Sequence, residues 1–164
     1  MNLIPPVAAV LTLSLLGSCS RAVSSLEQNK KVVRLQHEEI WSKGNLALVD
    51  QIYARNFVCH FIVGQEWRGH QGLVEAVQAH RASFPDWTEQ IDDIIAEGDM
   101  VVTRFTSRGT HHGEFEGISP TGRHVTIAEV AVYRIERGKI AEQWGFPDVL
   151  SLQRQLTPEA SGKP

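Results

Sequence analysis

Apolar residues recur at helical spacing from about Leu26 to Lys43, where Val32, Val33, Leu35, Ile40 and Trp41 form one stripe. Gly44 ends this predicted helix, and Asn45 can cap a second short one over "LALVDQIYA". "FVCHFIV" reads as a strand, and "GHQGLVEAVQAHRASF" as a third helix stopped by Pro85. Four β-rich runs follow: "TEQIDDIIAE", "MVVTRFTSRGTHHG", "HVTIAEVAVYRI" and "KIAEQWGF". They are punctuated by Gly98-Asp99, by a Gly/Pro loop over 117–122 and by Arg137-Gly138. "PDVLSLQRQL" reads as a short helix or turn, and 157–164 as a flexible tail. Helices first and antiparallel strands afterwards predict an α+β domain, with helices laid on one face of a curved sheet and a pocket between them.

The N-terminus departs from this pattern. Its first eighteen residues carry no charge, and "VAAVLTLSLLG" is too short to span a bilayer comfortably but suits a signal-peptide core. The run ends in Leu16-Gly17-Ser18-Cys19, similar to a bacterial lipobox, in which the cysteine thiol receives a lipid. The expected organisation is a lipoprotein-type signal peptide over 1–18, a tether over 19–27, a domain over 28–156 and the tail. The expected location is the bacterial cell envelope. There Cys19 anchors the chain to the outer membrane facing the periplasm in a Gram-negative host; without acylation the chain is periplasmic or secreted. Lipidation of Cys19 would leave Cys59 as the lone thiol, within the apolar "FVCHF", where a buried and inert state is expected.

Composition adds little. The 164 residues hold 42% hydrophobic and 21% charged side chains, ordinary for a globular domain with one core. A net charge of −3 with scattered basic residues gives no reason to expect a nucleic-acid partner.

Chemistry is more legible in the last hairpin. Counting back from the turn in "ERGK" pairs Ile135 with Ile140, Tyr133 with Glu142, Ala131 with Trp144 and Glu129 with Phe146. Alternation then places all eight on one face. Ala128, Val130, Val132, Ala141 and Gly145 fall on the other, smooth enough for packing or a homodimer contact. A carboxylate among aromatic groups is costly to desolvate, so its pKa rises toward the range useful for proton transfer. If this face lines the pocket, Glu142 beside Tyr133 and Trp144 is the leading acid/base candidate; a solvated face satisfies the same pattern.

"GTHHGEFEGISPTGRHV" resembles a metal site at first sight. Adjacent strand side chains diverge, however, so His111 and His112 cannot readily chelate one ion, and no H-E-x-x-H spacing is present. No metal and no cofactor are expected. His60 is read as a core or rim histidine, with a site role as the alternative, and His37, His70 and His80 as solvated. Arg104, in mid-strand, requires a partner: a structural carboxylate or an acidic substrate group. Trp41 and Trp87 are read as core.

"RGHQGLVEAV", "FPDW", "IIAEGDMVVTRFTSRGTHHGEFEGISPTGRHV", "VYRIERGKIAEQW" and "DVLSLQRQL" together resemble the SnoaL-like polyketide (ester) cyclases of the nuclear-transport-factor-2-like superfamily, over about residues 28–156. The resemblance implies a cone-shaped α+β barrel around a deep apolar pocket. It also implies ring closure by intramolecular aldol condensation without metal or cofactor, an acidic residue taking a proton from a carbon flanked by carbonyls. Carried onto this chain, the acid falls at Glu142, with Asp148 as rival. The assisting position falls near Ala128 or Glu129, and one histidine of the pair, His112 in the catalytic set, touches ligand at the pocket mouth. Tyr133, Trp144, Arg104, His60 and Phe146 complete the expected binding set. Three functions stay open: acid/base catalysis on a small apolar carbonyl or ester compound, non-catalytic binding of a small hydrophobic ligand by a lipid-anchored protein, and a dimeric interaction module.

Overall fold

The computed structural model of the protein describes residues 25–61 and 64–157. The expected signal segment, Cys19, the start of the tether and residues 158–164 lie outside them. Helix α1 runs as an α-helix over 25–35 and widens into a π-turn over Gln36–Trp41. That widening brings two consecutive polar residues, Gln36 and His37, into the buried set beside Ile40 and Trp41. Gly44 (φ +69°) ends the segment, its N–H bonded to Ile40 O at 3.0 Å. A single 3₁₀ turn, Leu46–Leu48, leads into the short helix α2, Val49–Ile52.

Six strands follow: β1 Tyr53–Phe61, β2 Glu66–Arg68, β3 Thr88–Glu97, β4 Met100–Thr110, β5 His124–Glu136 and β6 Lys139–Pro147. Helix α3, Gly69–Ser83, separates β2 from β3, and α4, Val149–Leu156, closes the described chain. Sequence periodicity matched each long element; β2, three residues long, carried too little pattern to be seen. The sheet order is β2-β1-β6-β5-β4-β3, antiparallel throughout except for the parallel β1–β6 pair. Arg137 (φ 51°) and Gly138 (φ 75°) form the tight turn between β5 and β6.

The concave side of the sheet and the helices share the main core, including Val33, Ile40, Phe57, Leu73, Val77 and Ile140. A smaller cluster of Phe84, Trp87, Val125, Ile127, Leu152 and Leu156 seals one end. Cys59 is fully buried, and burial pushes its thiol up to about 12, in keeping with an inert side chain. Among the described residues, no helix is long and apolar enough to cross a membrane.

The stretch 109–125 ends β4, docks a loop and starts β5. The N–H groups of His112 and Gly113 both donate to Ser83 O, at 2.9 and 3.1 Å, and Ser83 Oγ donates to Glu114 O. A Cβ at Gly113 would collide with the Ala82 carbonyl, so only glycine permits this approach of loop to helix. Phe115 and Ile118 then pack on the end cluster.

Candidate functional site

The register of the β5–β6 hairpin decides which side chains meet inside. Ile135 pairs with Ile140, but Arg134 pairs with Glu142, so Ala141 is an extra residue in β6. Ile140 and Ala141 are both buried, the mark of a bulge, and every later residue of β6 is turned over relative to a straight count. Tyr133 therefore faces Gln143, Ala131 faces Gly145 and Glu129 faces Pro147. Glu142, Trp144 and Phe146 go to the convex side.

A cavity of about 380 Å³ lies between the concave face and the helices. Trp41 from α1, Trp67 from β2 and Phe61 from β1 form one aromatic wall, with ring centroids 5.8 and 5.4 Å apart along it. Arg81 ties the end of α1 to α3 by donating to Trp41 O, Ser42 O and Pro85 O at 3.1, 3.0 and 2.7 Å, so both helices border one space. Among the described residues no lysine or arginine lines the cavity; Glu89 and Glu129 do, with the exposed Glu114 and Glu116 at its loop edge.

Glu129 is the chemically exceptional group. Its Oε1 is shielded from solvent and has no hydrogen-bond partner, and the nearby Ser107 hydroxyl does not reach hydrogen-bonding geometry. Burial, and then the charge of Glu89, push its carboxyl up to about 8, against a small opposing contribution from Ser107. Glu89 is held differently: Oε2 accepts from His37 Nδ1 at 2.6 Å, and Oε1 lies 3.4 Å from Trp87 Nε1. His37 Nε2 lies 3.0 Å from Tyr133 Oη and 3.2 Å from Thr103 Oγ1. Tyr133 Oη accepts from Gln36 Nε2 at 2.9 Å, and Gln36 Oε1 accepts from Tyr53 at 2.8 Å.

His80, on α3, also lines the cavity, with its Nε2 buried and unpartnered. Its ring is set edge-on to Trp87 at 4.4 Å and stacked on Phe84 at 5.3 Å. Burial, with the charge of Arg81, lowers its pKa to about 4, so it is a neutral imidazole at neutral pH. An unsatisfied nitrogen and an unsatisfied carboxyl oxygen in one apolar cavity can bind, and exchange protons with, the oxygens of a neutral ligand.

Residues 31–156 match the family described as SnoaL-like polyketide cyclase. The chain belongs to the SnoaL-like polyketide cyclase family. It is 31% identical over 101 residues to aklanonic acid methyl ester cyclase DnrD of Streptomyces peucetius, covering 57% of this chain and 69% of that protein. Among solved structures, wild-type IdmH of Streptomyces antibioticus, a candidate polyketide cyclase, is 30% identical with a TM-score of 0.70, over 79% of this chain and 98% of its own. AclR of Streptomyces galilaeus, a candidate hydroxylase, is 26% identical with a TM-score of 0.71, over 84% and 87%. The α+β architecture is the cone-shaped, nuclear-transport-factor-2-like fold of these proteins, with the sheet curved rather than closed.

Within this SnoaL-like frame, the expected site residues separate. Glu129 and Tyr133 line the cavity. Glu142 does not: on the convex face its carboxylate meets Arg134 Nε at 2.9 Å and His60 Nε2 at 3.1 Å, and Arg134 first, then His60, hold its pKa below the usual range. The pairings of Tyr133 with Glu142, Ala131 with Trp144 and Glu129 with Phe146 are thus corrected, and the Ala141 bulge is the reason. Trp144 stacks on His60 at 5.5 Å, outside the cavity, and Phe146 is 44% exposed. His60 Nδ1 also reaches Glu66 at 3.0 Å. Arg104 is exposed on the convex face and bonded to Asp92 and Asp93, the structural alternative. Asp148 caps α4, its Oδ1 accepting from Ser151 N at 2.9 Å. His112 is exposed and outside the cavity lining. His111 is buried against Phe84 with Nδ1 near Thr121, also off the cavity. Among the described residues no group of three His, Cys, Asp or Glu is placed to hold a metal.

Glu89 and His80 line the cavity and His37 stands behind Glu89; none of the three was among the expected site residues. For two of them a signal was present: His37 lies four residues from both Val33 and Trp41 in the helical stripe, and Glu89 shares strand parity with Ile91. Each is a polar residue at an apolar phase.

Proposed function

We propose that the cavity performs cofactor-independent acid/base catalysis on a small, neutral, carbonyl-bearing compound, of the cyclase type, with Glu129 as the proton-transfer group. The observation that carries this reading is the Glu129 carboxyl, its Oε1 shielded and unpartnered, beside a second carboxylate in an aromatic cavity. As carboxylate, Glu129 takes the proton from a carbon between two carbonyls, and the electron pair of the C–H bond becomes an enolate. The enolate carbon attacks a second carbonyl of the same molecule, forming the ring bond. The resulting alkoxide recovers the proton from Glu129, which returns to carboxylate. A group with pKa near the working pH balances basicity against the population of its active form. His80 is suited to hold the substrate oxygen as a neutral hydrogen-bonding partner. The similarity to an ester cyclase supports the reaction class.

The test needs no knowledge of the full substrate. Neutral β-keto esters with aryl or alkyl tails, incubated in D₂O, are expected to exchange their central carbon proton faster with the protein than without it, as read by NMR. No acceleration across such a panel would overturn the catalytic reading in favour of a binding protein.

The envelope location remains part of this proposal, resting on the sequence around Cys19. The convex face supports a homodimer: Val130 and Phe146, 38% and 44% exposed, pair across β5–β6, and Ile95 lies 67% exposed on β3. Cys19→Ala is expected to move the protein from the membrane to the soluble fraction, where it elutes at twice the chain mass. Unchanged fractionation would remove the anchor, and a monomeric soluble form the dimer.

A further inference from the structure

The hydrogen bonds behind Glu89 run in one direction. Glu89 Oε2 accepts, so His37 Nδ1 donates to it at 2.6 Å, and in that neutral tautomer the ring presents Nε2 as acceptor. Tyr133 lies 3.0 Å from that nitrogen and has an O–H to give. Its oxygen in turn accepts from Gln36 Nε2 at 2.9 Å, and Gln36 Oε1 accepts from the Tyr53 hydroxyl at 2.8 Å. Four donors from α1, β1 and β5 thus point in series toward one carboxylate on β3. Tyr53, Gln36, His37 and Tyr133 are all buried, and the Glu89 side chain is only 7% exposed. In a low-dielectric interior, hydrogen bonds in series polarise one another, and those that end on a charge strengthen most.

Glu129, in contrast, has no donor in hydrogen-bonding geometry at Oε1. Two neighbouring carboxyls of different surroundings do not share a proton evenly: the one that receives donors keeps the charge, and the other keeps the proton. The titratable groups around the pair are His37 from α1, Tyr53 from β1, His80 from α3, Tyr133 from β5, and Glu114 and Glu116 at the loop. Only the His37 route delivers a hydrogen bond to either carboxyl from a chain of further donors.

We propose that Tyr53, Gln36, Tyr133 and His37 form a one-way hydrogen-bond chain that fixes the negative charge on Glu89 and leaves Glu129 alone with the exchangeable proton. These four are positioning residues acting through Glu89. The inference rests on the functional reading only for its purpose, since the proton distribution can be measured without turnover.

The experiment is an NMR titration of protein labelled with ¹³C at the glutamate side-chain carboxyl, with the two signals assigned by Glu89→Gln and Glu129→Gln. In the wild type, the Glu129 signal is expected to titrate alone, with its midpoint near 8, while Glu89 stays at its carboxylate position. Thr103 Oγ1, 3.2 Å from His37 Nε2, can take the place of Tyr133, so the informative variant is Tyr133→Phe combined with Thr103→Val. There both signals are expected to move in the same window, each curve spread over two steps. Gln36→Leu, which keeps all rings in place, should give a smaller change of the same kind. Joint titration in the wild type, or curves unchanged in both variants, would overturn the chain. Absence of β-keto ester exchange with an intact titration pattern would instead remove the functional reading and leave the chain standing.

Discussion

Glu129→Gln is expected to lower proton exchange and any ring closure by about 10²- to 10⁴-fold at neutral pH, the range general acid/base groups contribute. The amide keeps the shape of the carboxyl and its place against Ser107, but cannot accept and return a proton. KM should change little, because the cavity walls that hold the ligand are untouched. The wild-type pH profile has a defined sign. With the carboxyl at about 8, only about one molecule in ten is in the basic form at pH 7, so the rate rises close to tenfold per pH unit below 8 and levels above it. Glu142→Gln serves as the comparison: it breaks a half-buried ion pair with Arg134 on the convex face, outside the cavity, and should leave the rate within about threefold. If Glu129→Gln stays within a few fold of wild type while Glu142→Gln loses activity, the roles assigned to the two carboxyls are reversed.

The same substitution should change how stability responds to pH. The Glu129 carboxyl lies near 8 in the folded protein against an ordinary 4.5, so between those values the native state binds a proton that the unfolded chain has released. Stability from this group is complete below about 4.5, declines as pH rises, and is lost above 8. The decline attributable to it is on the order of 4 kcal/mol, shared in practice with Glu89 because the two charges interact. Glu129→Gln removes the titration, so the variant should be no more stable than wild type near pH 5 and more stable by a few kcal/mol near pH 9. Urea denaturation of both proteins at pH 5, 7 and 9 measures this. Parallel stability curves would mean that Glu129 is not held protonated by its surroundings.

Rational variants of the cavity follow from these two effects. Among the described residues His80 Nε2 and Glu129 Oε1 are the buried unsatisfied polar atoms on the wall, so on the proposed function a ligand is expected to be selected by where it places its oxygens rather than by total contact area. The absence of lysine or arginine from the lining among the described residues leads us to expect uncharged compounds over anions.

The sequence by itself determined the element order and the type of each long element. Hydrophobic period changes from 3.6 to 2 after Pro85, and glycine turns at Gly98 and Gly138 set the strand boundaries. Its motif string also placed the chain in its family, and fixed alternation along one strand put Glu129 and Tyr133 on a shared face, leaving open whether that face lines a pocket or meets solvent. Only the tertiary structure decided which face of β6 joins them. Ile140 and Ala141 are both apolar, so nothing in their identity distinguishes a bulge from a straight strand. A single extra residue there exchanges Glu142 and Trp144 for Gln143 and Gly145. The partners of Glu89 were equally beyond local reading: His37 lies 52 residues away in the chain, and Tyr133 is 96 residues from His37. Local pattern fixes the direction of a side chain relative to its own strand or helix. The alignment of four such donors in series toward one buried carboxylate is a property of packing, set by the π-turn in α1, the Arg81 tie between helices and the curvature of the sheet.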